Sequence, residues 1–202
     1  MIAIIDYDMG NLRSVAKAFE RVGAKVVVTR SAKEIMAASR VVLPGVGAFR
    51  DCMANLIEYG LVEPILKTIE AGKPFLGICL GLQLLFDESE EFGRHKGLGV
   101  IRGKVVRFEP AVRLKVPHIG WNSAKQAKAS PLLNGINDNE FFYFVHSYYA
   151  MPEDKSVILT STDYGGEFTS AISNNNVFAC QFHPEKSQNV GLRLLENFSR
   201  ID

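Results

Sequence analysis

Between Lys73 and Asp87 the chain reads Pro74-Phe75-Leu76-Gly77-Ile78-Cys79-Leu80-Gly81-Leu82-Gln83-Leu84-Leu85-Phe86, 13 residues without a charge. A membrane helix needs about 20 apolar residues, so this run reads as a buried element of a folded domain. Pro74–Ile78 has the character of a short strand and Leu82–Phe86 that of a helix. Between them, Gly77-Ile-Cys-Leu-Gly81 has the glycine-x-nucleophile-x-glycine pattern of a sharp strand-to-helix turn, with cysteine in the nucleophile position. A residue on such an elbow is held in a strained backbone conformation, and glycines two positions to either side remove the Cβ atoms that would clash. The side chain then stands at the carboxyl end of a strand and the start of a helix. Free amides there favour the thiolate, and the Leu80 amide is left to face an oxyanion.

Working outward, the first half alternates short β-branched runs with amphipathic ones. Ile2–Ile5 reads as a doubly covered strand, and Leu12, Val15, Ala16 and Phe19 form a helical stripe that Gly23 stops. Lys25–Thr29 is a second strand, Ser31-Ala-Lys-Glu34 a capping box opening a helix, and Arg40–Leu43 a third strand ending at Pro44-Gly-Val-Gly47. From about Phe49 to Ala71 the pattern is helical, with breaks expected near Gly60 and Pro64. Downstream, Val100–Phe108, Glu140–Tyr149, Val157–Thr162, Phe168–Ser173 and Val177–Phe182 read as short strands, and Asn174-Asn-Asn176 suggests a hairpin. Asn189–Phe198 closes the chain as a helix. The expected fold is α/β: one domain over residues 1–202 with a mixed, mostly parallel central sheet, helices on both faces and an antiparallel extension.

The 202 residues are 47% apolar and 22% charged, with a formal net charge of +1. No basic run of five or more is present, which argues against nucleic acid or an anionic membrane as partner. Three cysteines without CxxC spacing exclude a disulfide scaffold or a zinc ribbon and point to a reducing, cytoplasmic setting. The amino terminus meets Asp6 before a signal-peptide core could form. Cys52 lies in a helical pattern and Cys180 in a strand, so both read as packing residues.

A cysteine nucleophile needs an imidazole and a group to orient it. Of four histidines, His183 stands out: His183-Pro184-Glu185 follows a strand directly, and in an extended segment residues i and i+2 share a side. The pair then arrives at a strand end, where catalytic groups of open α/β sheets collect. His146, in the aromatic run Tyr143-Phe-Val-His-Ser-Tyr148, reads as a satisfied, partly buried ring. His95 and His118 fall in expected loops without a visible partner. No metal-ligand spacing is present, so neither a metal nor another cofactor is expected.

These strings together carry a resemblance. Gly77-Ile-Cys-Leu-Gly81 with a downstream His183-Pro-Glu185 resembles the class I, triad-type glutamine amidotransferases, whose architecture is flavodoxin-like and three-layered. Asp8-Met-Gly-Asn-Leu-Arg-Ser14, Leu43-Pro-Gly-Val-Gly-Ala-Phe49, His118-Ile-Gly-Trp-Asn122 and His183-Pro-Glu-Lys-Ser-Gln188 further resemble the family of glutaminase subunits of imidazole glycerol phosphate synthases. The resemblance spans essentially the whole chain. It implies that Cys79 attacks the side-chain amide of glutamine, His183 shuttles the proton, and Glu185 fixes the imidazole. It assigns the oxyanion to the Leu80 amide and to amides of the Pro44–Gly47 loop, Val46 and Gly47. Glutamine contacts map to Gly47, Gln83, Ser147 and Tyr148. Gln83 lies one helical turn beyond Cys79 and can face the same cleft.

The resemblance also implies a partner. In that family the ammonia passes to a (β/α)8 cyclase subunit of histidine biosynthesis, which makes imidazole glycerol phosphate and AICAR, and the two form a heterodimer. Docking residues map to Asn11, Trp121, Asn122, Tyr143 and Lys186. Trp121 is the only tryptophan and sits in an expected loop, where core filling and interface contact are even readings. The free glutaminase of that family is nearly silent, which a Pro-Gly-Val-Gly loop awaiting a peptide rotation would explain. Two other readings stay open from sequence: a glutaminase feeding a different synthase, and a non-catalytic scaffold of the same fold.

Overall fold

The computed structural model describes residues 1–109 and 115–201. In chain order, β1 (Ile2–Ile5), α1 (Leu12–Arg21), β2 (Val26–Thr29), α2 (Ala32–Ala37), β3 (Arg40–Gly45), α3 (Phe49–Glu58), α4 (Val62–Glu70), β4 (Phe75–Cys79) and α5 (Leu80–Leu84) form the first half. The second half comprises β5 (Phe86–Ser89), β6 (His95–Lys96), β7 (Ile101–Arg107), β8 (His118–Gln126), β9 (Glu140–His146), β10 (Tyr148–Pro152), β11 (Ile158–Asp163), β12 (Glu167–Asn174), β13 (Val177–Cys180) and α6 (Gln188–Arg200).

Among the described residues the strands join in the order β2-β1-β3-β4-β13-β12-β10-β7-β5-β6, with β11 bridging β12 to β8 and β8 pairing β9. The five strands from β2 to β13 run parallel. Beyond β13 the ladders turn antiparallel, apart from β5 against β7. Period-two alternation sorts β1 between two cores, Ala3 and Ile5 facing one and Ile2 and Ile4 the other. The first core takes Ile35, Phe49, Leu56 and Ile65 from α2, α3 and α4; the second takes Val15 and Phe19 from α1 and Leu194 and Phe198 from α6. Helices therefore cover both faces, and β1 and β4 are buried along their whole length.

Several local expectations shift. Ser31 accepts from the Glu34 amide at 3.4 Å, but the Glu34 carboxylate takes the Thr29 hydroxyl instead of closing the capping box. The helical stretch breaks at Gly60, which adopts φ 64°, and not at Pro64, which lies in the first turn of α4 where its missing N–H costs no hydrogen bond. The single strand expected over Glu140–Tyr149 divides at Ser147 into β9 and β10. The expected loop around His118 and Trp121 is strand β8, paired residue by residue with β9 from His118↔His146 to Ala124↔Glu140. Only His118 and Ala124 of β8 are buried, so its own sequence carries no apolar alternation and long-range pairing defines it.

Candidate active site

The β4–α5 junction is the predicted elbow. Cys79 adopts φ 56° and ψ −109°, a conformation that side chains rarely occupy. Both flanking glycines are required by contact: a Cβ on Gly77 would stand 2.7 Å from the Gly81 carbonyl oxygen, and one on Gly81 would stand 1.9 Å from that of Leu43. Leu80 opens α5, so its amide lies among those a helix cannot satisfy internally.

β13 runs parallel to β4 with Cys180 opposite Ile78, so the residues that follow, Gln181 and Cys79, emerge together at the same end of the sheet. His183 comes two residues later. Its Nδ1 meets Glu185 Oε1 at 2.8 Å, and both side chains are almost wholly buried. The expected adjacency holds for a different reason. His183 caps a 3-10 turn, Pro184–Lys186, and this turn, not an extended i, i+2 relation, folds the carboxylate back onto the ring. The turn is tied down by the Tyr143 carbonyl, which accepts from the His183 amide at 2.9 Å, and by Ser187 Oγ, which donates to the His183 carbonyl at 2.6 Å.

With Nδ1 taken by Glu185, the His183 ring meets Cys79 through its other edge, and both residues line a cavity of about 310 Å3. Burial works against the imidazolium, but the adjacent Cys79 sulfur and the Glu185 carboxylate prevail and hold the His183 pKa well above the ordinary histidine value. The other two thiols are set apart. Cys52 is pushed up to about 12 by burial, and buried Cys180 is raised well above the usual thiol range. Neither supplies a thiolate, which matches their reading as packing residues.

Val46, Gly47, Leu80, Gln83, Ser147 and Tyr148 all line the same cavity. The Pro44–Gly47 loop is anchored at three points. The Pro44 carbonyl accepts from Tyr7 OH at 2.7 Å, the Val46 carbonyl from Cys52 Sγ at 3.5 Å, and the Met9 carbonyl from the Val46 amide at 3.2 Å. Gly47 adopts φ 101°, a left-handed conformation that suits glycine. In this arrangement the Val46 N–H is therefore engaged by Met9. The Gln83 amide nitrogen donates to the Tyr148 carbonyl and to Gln181 Oε1, each at 2.9 Å.

Gln181 escaped the sequence reading. Fully buried, it donates from Nε2 to Cys79 Sγ at 3.7 Å. The available signal was a polar residue at the end of an otherwise apolar strand, two positions before His183. His118 has a partner after all: its Nδ1 lies 2.9 Å from His146 Nε2. Trp121 is 46% exposed and packs edge-on against the Tyr143 ring, which Lys186 Nζ approaches to 5.9 Å. Core filling is thereby excluded for Trp121. Asn122 turns inward to His118 and the Asp163 carbonyl, and the Asn11 side chain makes no cap at the start of α1. Among the described residues no cluster of three or more His, Cys, Asp or Glu side chains is placed to hold a metal ion, and no helix is long and apolar enough to cross a membrane.

Comparison with known proteins gives the same architecture a family. A solved structure titled as a glutamine amidotransferase superposes with a TM-score of 0.76 at 19% identity, covering 100% of both chains, which speaks for the fold alone. The imidazole glycerol phosphate synthase subunit HisH of Syntrophotalea carbinolica is 58% identical over 98% of each chain. The HisH subunit of Aquifex aeolicus is 57% identical over 98% of this chain and 95% of its own. The model of the glutamine amidotransferase class-I family matches residues 3–201. A match that runs through every element from β1 to α6 makes this chain a member of the class-I glutamine amidotransferases.

Proposed function

We propose that the chain, acting as one amidotransferase domain, is the glutaminase subunit of an imidazole glycerol phosphate synthase. It releases ammonia from glutamine for a cyclase subunit that makes imidazole glycerol phosphate and AICAR. The observation that carries this reading is the convergence on one cavity of Cys79, at the end of β4, and His183, just beyond the adjacent parallel strand β13, with Glu185 bonded to the ring.

His183 Nε2 holds the proton taken from Cys79, Glu185 steadies the charged ring through Nδ1, and the Cys79 thiolate attacks the γ-amide carbon of glutamine. The tetrahedral intermediate collapses with transfer of that proton to the departing nitrogen, leaving a γ-glutamyl thioester and ammonia. Water, deprotonated by His183, then attacks the thioester, and glutamate leaves as the thiol is restored. Leu80 N–H supports the oxyanion, together with amides of Val46 and Gly47. For Val46 this needs rotation of the Gly45–Val46 peptide away from Met9, which the flanking glycines permit. Gln83, Ser147 and Tyr148 line the wall against which the glutamine substrate sits.

The β8–β9 face supports a docking role. Ile119, Trp121 and Phe141 are exposed there beside Tyr143 and Lys186, an apolar row with a cationic rim. Asn11 and Asn122 join this surface in the proposal, which makes the working unit a heterodimer. The three free cysteines suit a reducing cytoplasm. An electrophilic glutamine analogue, added to the complex and followed by peptide mass spectrometry, tests the catalytic reading. A single adduct on Cys79, suppressed by excess glutamine, is expected; an unlabelled Cys79 would favour a non-catalytic scaffold.

A further inference from the structure

Two buried histidines, His118 and His146, have no part in the reaction as described, yet they belong to a run of hydrogen bonds that reaches the nucleophile. Asn122 Nδ2 lies 3.3 Å from His118 Nε2, His118 Nδ1 lies 2.9 Å from His146 Nε2, and His146 Nδ1 lies 2.9 Å from the Tyr148 carbonyl oxygen. From that carbonyl the path continues through Gln83 Nε2, which bonds both Tyr148 O and Gln181 Oε1, to Gln181 Nε2 and Cys79 Sγ.

The protons along this path have one arrangement. A carbonyl oxygen only accepts, so His146 carries its proton on Nδ1 and accepts on Nε2. His118 must then donate from Nδ1 and accept on Nε2, and Asn122 donates to it. Both rings are neutral in this arrangement, in keeping with burial, which lowers His118 to about 4 and His146 to about 3. An aromatic box keeps water away: His118 stacks on Tyr164 at 4.0 Å and on Phe144 at 5.0 Å, with Phe108 and Phe168 at the edges. At the other end, Gln83 fixes which way the Gln181 amide faces. With Oε1 accepting from Gln83, the Gln181 NH2 group is turned toward the sulfur.

We propose that His118 and His146 are positioning residues for the glutaminase reaction. By holding the Tyr148 carbonyl, they lock the Gln83–Gln181 amide pair in the orientation that offers an N–H to Cys79 Sγ. The inference rests on Cys79 being the nucleophile, and it makes Gln181 the group through which the histidines act.

The test reads the sulfur directly, without glutamine. In the complex with the cyclase subunit, the rate of Cys79 alkylation by iodoacetamide is followed by peptide mass spectrometry across pH. His146→Leu removes the donor to Tyr148, whereas His146→Asn keeps one at the Nδ1 position. His146→Leu is expected to slow alkylation at neutral pH about fivefold, the effect of losing one hydrogen bond, with the difference vanishing at high pH. His146→Asn is expected to restore most of that rate. Gln181→Met, similar in volume but lacking the amide, is expected to slow alkylation as much as His146→Leu, and the double variant no further, because both act along one path. An unchanged rate in His146→Leu, equal losses in the Leu and Asn variants, or additive losses in the double variant would overturn the proposal. If His146→Leu fails to fold, His118→Leu against His118→Asn poses the same question one bond further out. These outcomes leave the nucleophile itself untouched, since glutaminase activity surviving in Cys79→Ala is what would remove that premise.

Discussion

The Val46 amide donates to the Met9 carbonyl at 3.2 Å, which ties the Pro44–Gly47 loop to the turn after β1 and engages one of the amides proposed for the oxyanion. Loss of one such donor lowers turnover by about 10²–10³. The isolated chain is therefore expected to hydrolyse glutamine that much more slowly than the complex with the proposed cyclase subunit. Steady-state glutamate release with and without the partner checks this, and equal rates would mean that no donor is withheld.

The elbow leaves no room at Gly81, where a Cβ would meet the Leu43 carbonyl oxygen at 1.9 Å. The obstacle is the backbone of β3, which cannot swing aside as the end of a side chain would. Gly81→Ala is expected to cost more than about 4 kcal/mol of stability, measured by denaturant unfolding. A loss below about 1 kcal/mol would contradict the close approach of β3 and α5.

Trp121 stands in solvent against Tyr143. Trp121→Ala is expected to leave unfolding within about 0.5 kcal/mol of the parent. Binding of the cyclase is expected to weaken about 30-fold or more, as for an interface anchor. Calorimetric titration measures the second effect, and unchanged affinity would move the docking surface away from the β8–β9 face.

The buried histidine pair sets an acid limit. His118 at about 4 and His146 at about 3 lie below the ordinary value of about 6.5, because burial disfavours the charged ring. Between those values the unfolded chain binds protons that the folded one excludes. Their contribution is complete above about pH 6.5 and is lost as the pH falls, by up to about 1.4 kcal/mol per pH unit for each ring. His183, with its raised pKa, is protonated in both states only below about pH 5.5, where it adds nothing; above that it works with the opposite sign. Unfolding at about pH 5.5, 5 and 4.5 is expected to weaken more steeply with acid in the parent than in the His118→Asn/His146→Asn variant, and equal slopes would contradict this.

How far the sequence revealed all this depended on whether a signal was local. The parallel half was legible because β1, β3 and β4 are short apolar runs between amphipathic helices, and the Cys79 elbow because its glycines are a short-range steric need. The His183–Glu185 pairing was legible too, although the turn that makes it was not. Strand β8 was missed because its pairing with β9 supplies the order that its own mixed polar sequence lacks. Gln181 and the His118–His146 contact were missed for a related reason. They join β8, β9, α5 and the end of β13, and only the register of β13 against β4 brings Gln181 beside Cys79.

The role of Cys79 is tested most directly in the reconstituted synthase carrying Cys79→Ala. With glutamine as nitrogen donor, formation of imidazole glycerol phosphate is expected to vanish; with ammonium salt in place of glutamine, it is expected to continue at the parent rate. Glutamine-dependent product formation that survives the substitution would contradict the account.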